Sequence, residues 1–521
     1  MPDTLLGFHR LAEIYGIQLV QPLFTRSRLG SVRQREATEG QETRTWPAQY
    51  QPADNFRGHF EFGLKYERLS FEFFSRLFHR VEPEDVAAWV RDEPMGRYAR
   101  RAAFFYEWFT GRQLAVPDTP PNVGYVDAID AGQYLAAQRP DRVRRWRVND
   151  NLPGSRDFCP MVFLGLQDQR DWLYDVAAGV QSLDDTYGAE LLLRSAAWLT
   201  FKESRASFAI EHEADQQDRV KRFAAAIAHY SGRMDDPMAP EQLLTLQQAV
   251  LGEAALRVGI RQSPVFVGER SFAREIVHYI APPAELVTDM LGALRRFEAR
   301  TRGTSPVAHA AAVSFAFIYL HPLADGNGRI HRFLVNHLLA ADKVVPANII
   351  VPVSATIAGS AKGRADYDLA LEAFSRPFMQ LYADAYRFGQ KRVCPDGVET
   401  NVEFLQAEDA QHAWRYLDLT GQARYLSGVL RQTVEQEMAQ EALALRRNDQ
   451  ARAAIKEFVE MPDADADWII RSLKEGGWQV SNKLRKDLPQ IFAEGGVFYP
   501  RHVRIIAAVC AVFEDDGSET E

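Results

Sequence analysis

The stretch "YLHPLADGNGRIHRFLVNHLL", Tyr319–Leu339, constrains this chain more than any other. It sets a tight turn between two segments of helical pattern. Before it runs "SPVAHAAAVSFAFIYL", opened by a Ser-Pro start signal, and after it Ile330, Phe333, Leu334 and Leu338 recur at helical spacing. The second helix therefore begins near Gly326 or Asn327 and buries that face. Its first turn carries free backbone N–H groups and the positive end of the helix dipole, an anion site. Gly326 and Gly328 remove side chains where an anion would approach the backbone. Arg329 and Arg332, spaced i, i+3, reach along one side of the helix toward a common ligand. Asp325 can offer a hard oxygen to Mg²⁺, which is usually held by one or two carboxylates plus substrate phosphates. His321, just ahead of the loop, can act as a base at neutral pH. Amides, two arginines, a metal carboxylate and a base together suit attack on a phosphoanhydride.

What the chain lacks narrows the chemistry. No GxxxxGK[ST] is present, so the turn is not a P-loop, and the HRD and DFG signatures of kinases are missing. An EF-hand needs glycine at its sixth loop position, where Ile330 stands. An Asn-Gly strand hairpin is a poor fit because the flanks are helical. The three cysteines, Cys159, Cys394 and Cys510, form no metal-binding cluster, which points to a reducing compartment. The first residues lack a signal-peptide layout, and the longest apolar run falls below the ~18 residues of a membrane helix. The expectation is a soluble, cytoplasmic protein without membrane contact. A net charge of -9 argues against bulk nucleic-acid binding.

At these residues "HPLADGNGRIHR" resembles the Fic-family signature HxFx(D/E)GNGRxxR, matching at His321, Asp325, Gly326, Asn327, Gly328, Arg329 and Arg332. Leu323 stands where the family usually has phenylalanine, an apolar replacement for a side chain that anchors the loop. Further likeness spans roughly residues 185 to 385. "GIRQSPVFVG" and "HYIAPPAELV" are similar to the family's flap hairpin and the segment after it. "ADYDLALEAF" resembles the helix bordering the adenine pocket, with Tyr367 a candidate stacking residue. Upstream, "ESRASFAIEHEAD" is similar to the family's inhibitory motif [ST]xxxE[GN], with Ser207 and Glu211 at i, i+4 and His212 replacing the usual Gly or Asn.

The resemblance implies a mainly α fold: a Fic-type helical bundle with a β-hairpin flap, a mixed N-terminal extension and a helical C-terminal module. The expected domains are 1–185, 186–388 and 389–521, with the inhibitory helix near 203–214 and the flap near 259–280. The last module carries a helix, Gly-Gly turn and helix in "ADWIIRSLKEGGWQVSNKLRKDL", readable as a winged helix or as a plain helical hairpin. The implied activity is transfer of AMP from ATP to a Ser, Thr or Tyr hydroxyl of a protein target. His321 is the base, Asn327 and Arg329 assist catalysis, and Asp325 binds Mg²⁺. ATP is held by Gly326, Asn327, Gly328, Arg329, Arg332 and Tyr367, and the target by Ser263, Pro264, Val265 and Phe266 of the flap. Glu211, bonded to Arg332, would deny that arginine to the γ-phosphate and make the enzyme self-inhibited. The same motif is compatible with AMP removal or with transfer of another nucleotide or phosphate. A regulator whose C-terminal module binds DNA or a partner is a further alternative, and a homodimer is left open.

Overall fold

The computed structural model describes residues 4–514 except 39, 167, 168, 214, 253, 254, 256, 257, 272, 273 and 347. It is mainly helical, with short sheets of two to four strands. None of the described helices is long and apolar enough to cross a membrane. The chain divides into two compact units, residues 1–176 with 200–431, and 177–199 with 432–521.

The first unit opens with a four-stranded mixed sheet. Leu5–Leu6 pairs antiparallel with Thr25–Leu29, which runs parallel to Gln41–Trp46, and Gln34–Thr38 closes the edge. The polar stretch containing those last two strands reads in sequence as a mobile loop. It is a hairpin instead, hidden because every residue of Gln34–Thr38 is exposed and no apolar alternation marks it. Helices Phe56–Tyr66, Phe71–Phe78, Pro83–Asp92 and Arg97–Thr110 follow, the first two started by Asn55 and Ser70 side-chain caps. They bury a phenylalanine-rich core around Phe8, Phe60, Phe74, Phe78 and Phe109. The basic run "DRVRRWRV" forms two short strands there rather than a free cationic edge. Arg145 pairs with Glu107 and Asp118, and the buried Trp146 donates to Glu107.

Within the same unit lie the helices that carry the motif. Pro306–Leu320 is buried at every residue except Pro306 and Ile318, as a helix apolar all round must be. Against it pack Ala284–Thr301 and Asn327–Ala341. The expected flap is present as Phe266–Ser271 paired antiparallel with Arg274–Ile280. Residues 386–431 were expected mostly with the C-terminal module, as charged helix. They pack in the first unit, beginning with a hairpin of Tyr386–Val393 and Glu399–Phe404, whose first strand is exposed almost throughout. Trp414 donates to the Ile280 carbonyl at 3.3 Å and Gln422 to the Tyr319 hydroxyl at 3.0 Å.

The second unit has its own core of Ile455, Ile469, Leu473, Leu484, Phe492, Ile505 and Val509. Gly477 and Trp478, both left-handed, turn the chain after helix Asp463–Glu475. Its described residues are helical and contain no strand, so the winged-helix reading has no wing among them.

Candidate active site

The loop between the two buried helices is shaped by its own residues. His321 ends the first helix in the left-handed region, φ 49°, a conformation non-glycine residues seldom adopt. Leu323 is fully buried and bridges Ile260, so the leucine anchors the loop as a phenylalanine would. The Asn327 amide is committed to that loop: its Oδ1 accepts from Leu323 N at 3.0 Å and its Nδ2 donates to Leu323 O at 2.8 Å. Its side chain therefore fixes loop shape and leaves only its backbone N–H for an anion. Gly326, at φ 88°, starts the helix Asn327–Ala341 as the sequence predicts.

Two residues without an assigned role hold the loop from outside. Gln247 donates to Asp325 O at 2.8 Å and accepts from Gly259 N at 2.6 Å. The buried Arg261 reaches the carbonyls of His321, Ser263 and Pro282 at 2.6, 2.8 and 2.6 Å. Burial without a carboxylate partner pushes its pKa down to about 10. Arg261 thus ties the motif loop to the base of the hairpin. Periodicity could not reveal this, because only the fold brings those carbonyls together.

The charged groups are arranged around a carboxylate from another helix. Helix Ala189–Ile210 ends at the expected inhibitory segment. Arg332, 1% exposed, donates Nε to Ser207 Oγ at 2.9 Å, and its Nη2 to Ser207 O at 2.9 Å and Glu211 Oε1 at 2.8 Å. A Cβ added to Gly328 would fall 2.2 Å from Glu211 Oε1. The carboxylate therefore lies against the first helical turn, where the sequence predicts an anion. Burial pushes the Glu211 carboxyl up, but Arg332, with Arg329 and His321, outweighs it and leaves it below the ordinary value.

A second carboxylate does the same to the other arginine. Arg329 pairs with Glu213 at 2.5 Å and with Asp325 at 3.2 Å, and lies over the Phe208 ring. Glu213 reads in sequence as one of several acids on an exposed helix. The helix end places it. His212 N bonds to Ala209 O and Glu213 N to Phe208 O, with His212 left-handed at φ 60°. This is a Schellman termination, whose left-handed position favours Gly or Asn. The usual Gly or Asn of the motif has that physical reason, and His212 adopts the same geometry at a cost in strain.

Burial, with Arg261 nearby, lowers the His321 pKa to about 4, so the imidazole is neutral at pH 7 and able to accept a proton. Asp325 is largely exposed, and its Oδ1 accepts from Gly326 N at 2.6 Å. One exposed carboxylate beside a phosphate-binding turn fits Mg²⁺ held jointly with substrate phosphates. Tyr367, predicted as a stacking residue, is buried beside Arg332 and braces that guanidinium instead of presenting an open ring face. Of the predicted flap contacts, Ser263 is buried, so it cannot meet a target, while Pro264, Val265 and Phe266 are partly exposed. Val265 O accepts from Ala281 N, and Phe266 packs on Phe388. Of these four residues only Phe266 belongs to the strand Phe266–Ser271.

Residues 237–339 match the profile of the Fic/DOC family. Over 154 residues the chain is 27% identical to the protein adenylyltransferase fic-1 of Caenorhabditis elegans, covering 28% of this chain and 27% of that one. It is 30% identical over 155 residues to the protein adenylyltransferase Fic of Drosophila mojavensis, covering 28% and 26%. The aligned region thus spans about a quarter of the length of these curated relatives. Among solved structures, a Fic family protein from Desulfovibrio desulfuricans G20 aligns with a TM-score of 0.36 at 19% identity, covering 55% of this chain and 79% of that one.

Proposed function

We propose that this chain, which carries a Fic/DOC domain over residues 237–339, is a self-inhibited protein adenylyltransferase. The observation that carries the reading is the Glu211 carboxylate on Arg332 and Gly328, because it marks an anion site and occupies it at once. The names of the aligned relatives support the same chemistry.

In the released state the amides of the first turn and Arg332 bind the ATP phosphates. The neutral His321 takes the proton of a target hydroxyl as that oxygen bonds to the α-phosphorus. The bond to the β-phosphate oxygen breaks, and Arg329 stabilises the departing pyrophosphate. Mg²⁺, held by Asp325 and the phosphates, would supply further charge neutralisation. A target segment adds as a strand to the flap edge beginning at Phe266, with its hydroxyl directed to His321.

The test uses ATP labelled on its α-phosphate, with mass spectrometry of the modified protein. Addition of the mass of AMP, lost in His321→Ala, is the expected result. The mass of a phosphate, or label that persists without His321, would overturn the assignment.

A further inference from the structure

A cavity of about 650 Å³ lies away from the motif, in the amino-terminal part of the first unit, between strand Thr25–Leu29, the end of helix Phe56–Tyr66 and the start of helix Arg97–Thr110. Its size falls in the roughly 300–1,000 Å³ range of small-molecule sites. Most of the other cations in its walls have a carboxylate partner, although two of them share one. Arg35 and Arg44 pair with Glu42, Lys65 with Glu61, and Arg68 with Asp418.

Two arginines are left over. Arg97 and Arg101 stand one turn apart on the same helix, and neither has a carboxylate at ion-pair distance among the described residues. Arg97 is exposed at the mouth and leans on Tyr98, donating to its hydroxyl. Arg101 lies deeper and gives its Nε to the Ala128 carbonyl at 3.0 Å, which leaves both terminal nitrogens without a hydrogen-bond partner among the described residues. Burial lowers its pKa to about 10. The acids nearby are engaged elsewhere. Asp130 accepts from Gly132 N and Gln133, Asp127 from Asn149, and the buried Glu67 from Phe8 N. On the remaining wall Tyr134 and Phe163 meet edge to face at 5.2 Å.

Arg101 is half-buried, and Asp130 offers it a counter-charge only from beyond ion-pair distance, so the guanidinium is incompletely compensated. We propose that this cavity is a second ligand site, in which Arg97 and Arg101 grip the phosphate of a small phosphorylated molecule while its ring or apolar part rests on Tyr134 and Phe163. Two arginines one helical turn apart in the lining of one cavity suit a doubly charged, multiply accepting anion. The site is independent of the adenylylation chemistry.

The experiment is calorimetric titration of the full chain with phenyl phosphate and with inorganic phosphate. Saturable binding is expected, tighter for phenyl phosphate. Arg101→Gln and Arg97→Gln should each weaken it about tenfold or more, the loss of one charge-assisted hydrogen bond. Arg332→Met at the Fic motif should leave it unchanged. Absence of saturable binding by either probe overturns the proposal, as does equal loss in Arg332→Met. Thermal unfolding without ligand gives a second reading that does not depend on the probe. Arg101→Met should raise the midpoint by removing an incompletely compensated charge, and a lowered midpoint would make Arg101 a structural residue and overturn the site.

Discussion

Replacing Glu211 by glycine removes the carboxylate that holds Arg332, and the structure sets the size of the effect. Truncating one partner of a fully buried ion pair costs about 3–5 kcal/mol. Here Arg332 is buried but the Glu211 side chain is 35% exposed, so water reaches the vacated space and the cost drops to about 2 kcal/mol. Arg332 also keeps both bonds to Ser207, which limits the loss further. The same contact, read as a competitor of ATP, is a charge-assisted hydrogen bond worth about 1.5–3 kcal/mol. Releasing it should raise the productive occupancy of ATP, and with it AMP labelling, by about 10- to 150-fold. The assay pairs labelling by α-phosphate-labelled ATP with thermal unfolding, with and without ATP. The variant should melt below wild type in buffer and gain more stability from ATP, because ATP binds the freed arginine. A folded Glu211→Gly protein that labels no more than wild type, and that ATP stabilises no more, would refute the competition between Glu211 and phosphate.

Other parts of the locked site make separate predictions. Glu213→Gln loosens Arg329, which keeps its pairing with Asp325, so it should raise labelling less than Glu211→Gly, and the double variant should exceed either single one in the same assay. His212→Gly removes left-handed strain worth about 1–2 kcal/mol, partly offset by the greater unfolded-state freedom of glycine. Its melting midpoint should rise and its basal labelling fall. The buried Glu203, on the helix that carries Ser207, receives hydrogen bonds from Ser354 N and Oγ, and burial raises its pKa to about 7 from an ordinary 4.5. Between those values the folded protein binds the extra proton, so this group makes stability fall as pH rises through the window. Glu203→Gln should flatten that slope in denaturation curves taken from about pH 4.5 to 7, and an unchanged slope would reject the assignment.

The motif was legible because a phosphate-binding turn needs particular residue types at short spacings, and a linear pattern records them. His321, Asp325, the two glycines and the two arginines lie within twelve residues, and the helix after them starts where the apolar spacing sets it. Ser207 and Glu211 were readable for the same reason, being one helical turn apart. What surrounds them was not. Gln247, Arg261 and Glu213 act through carbonyls and charges as far as 78, 60 and 116 positions away, and no periodicity encodes such meetings. The side chains of Asn327 and Tyr367 are committed to Leu323 and Arg332, bonds that follow from neighbours supplied by the fold. The hairpins Gln34–Trp46 and Tyr386–Phe404 escaped notice because exposed strands show no apolar alternation.

The sequence by itself determined which groups could share one turn as an anion site, because the amides, arginines, carboxylate and histidine are close along the chain. Only the tertiary structure decided that the turn is filled. The carboxylates of Glu211 and Glu213 come from the turn that ends a helix more than a hundred residues away, and packing brings them onto Arg332 and Arg329. Charge attraction across that distance in sequence becomes strong only when burial removes the water between the partners.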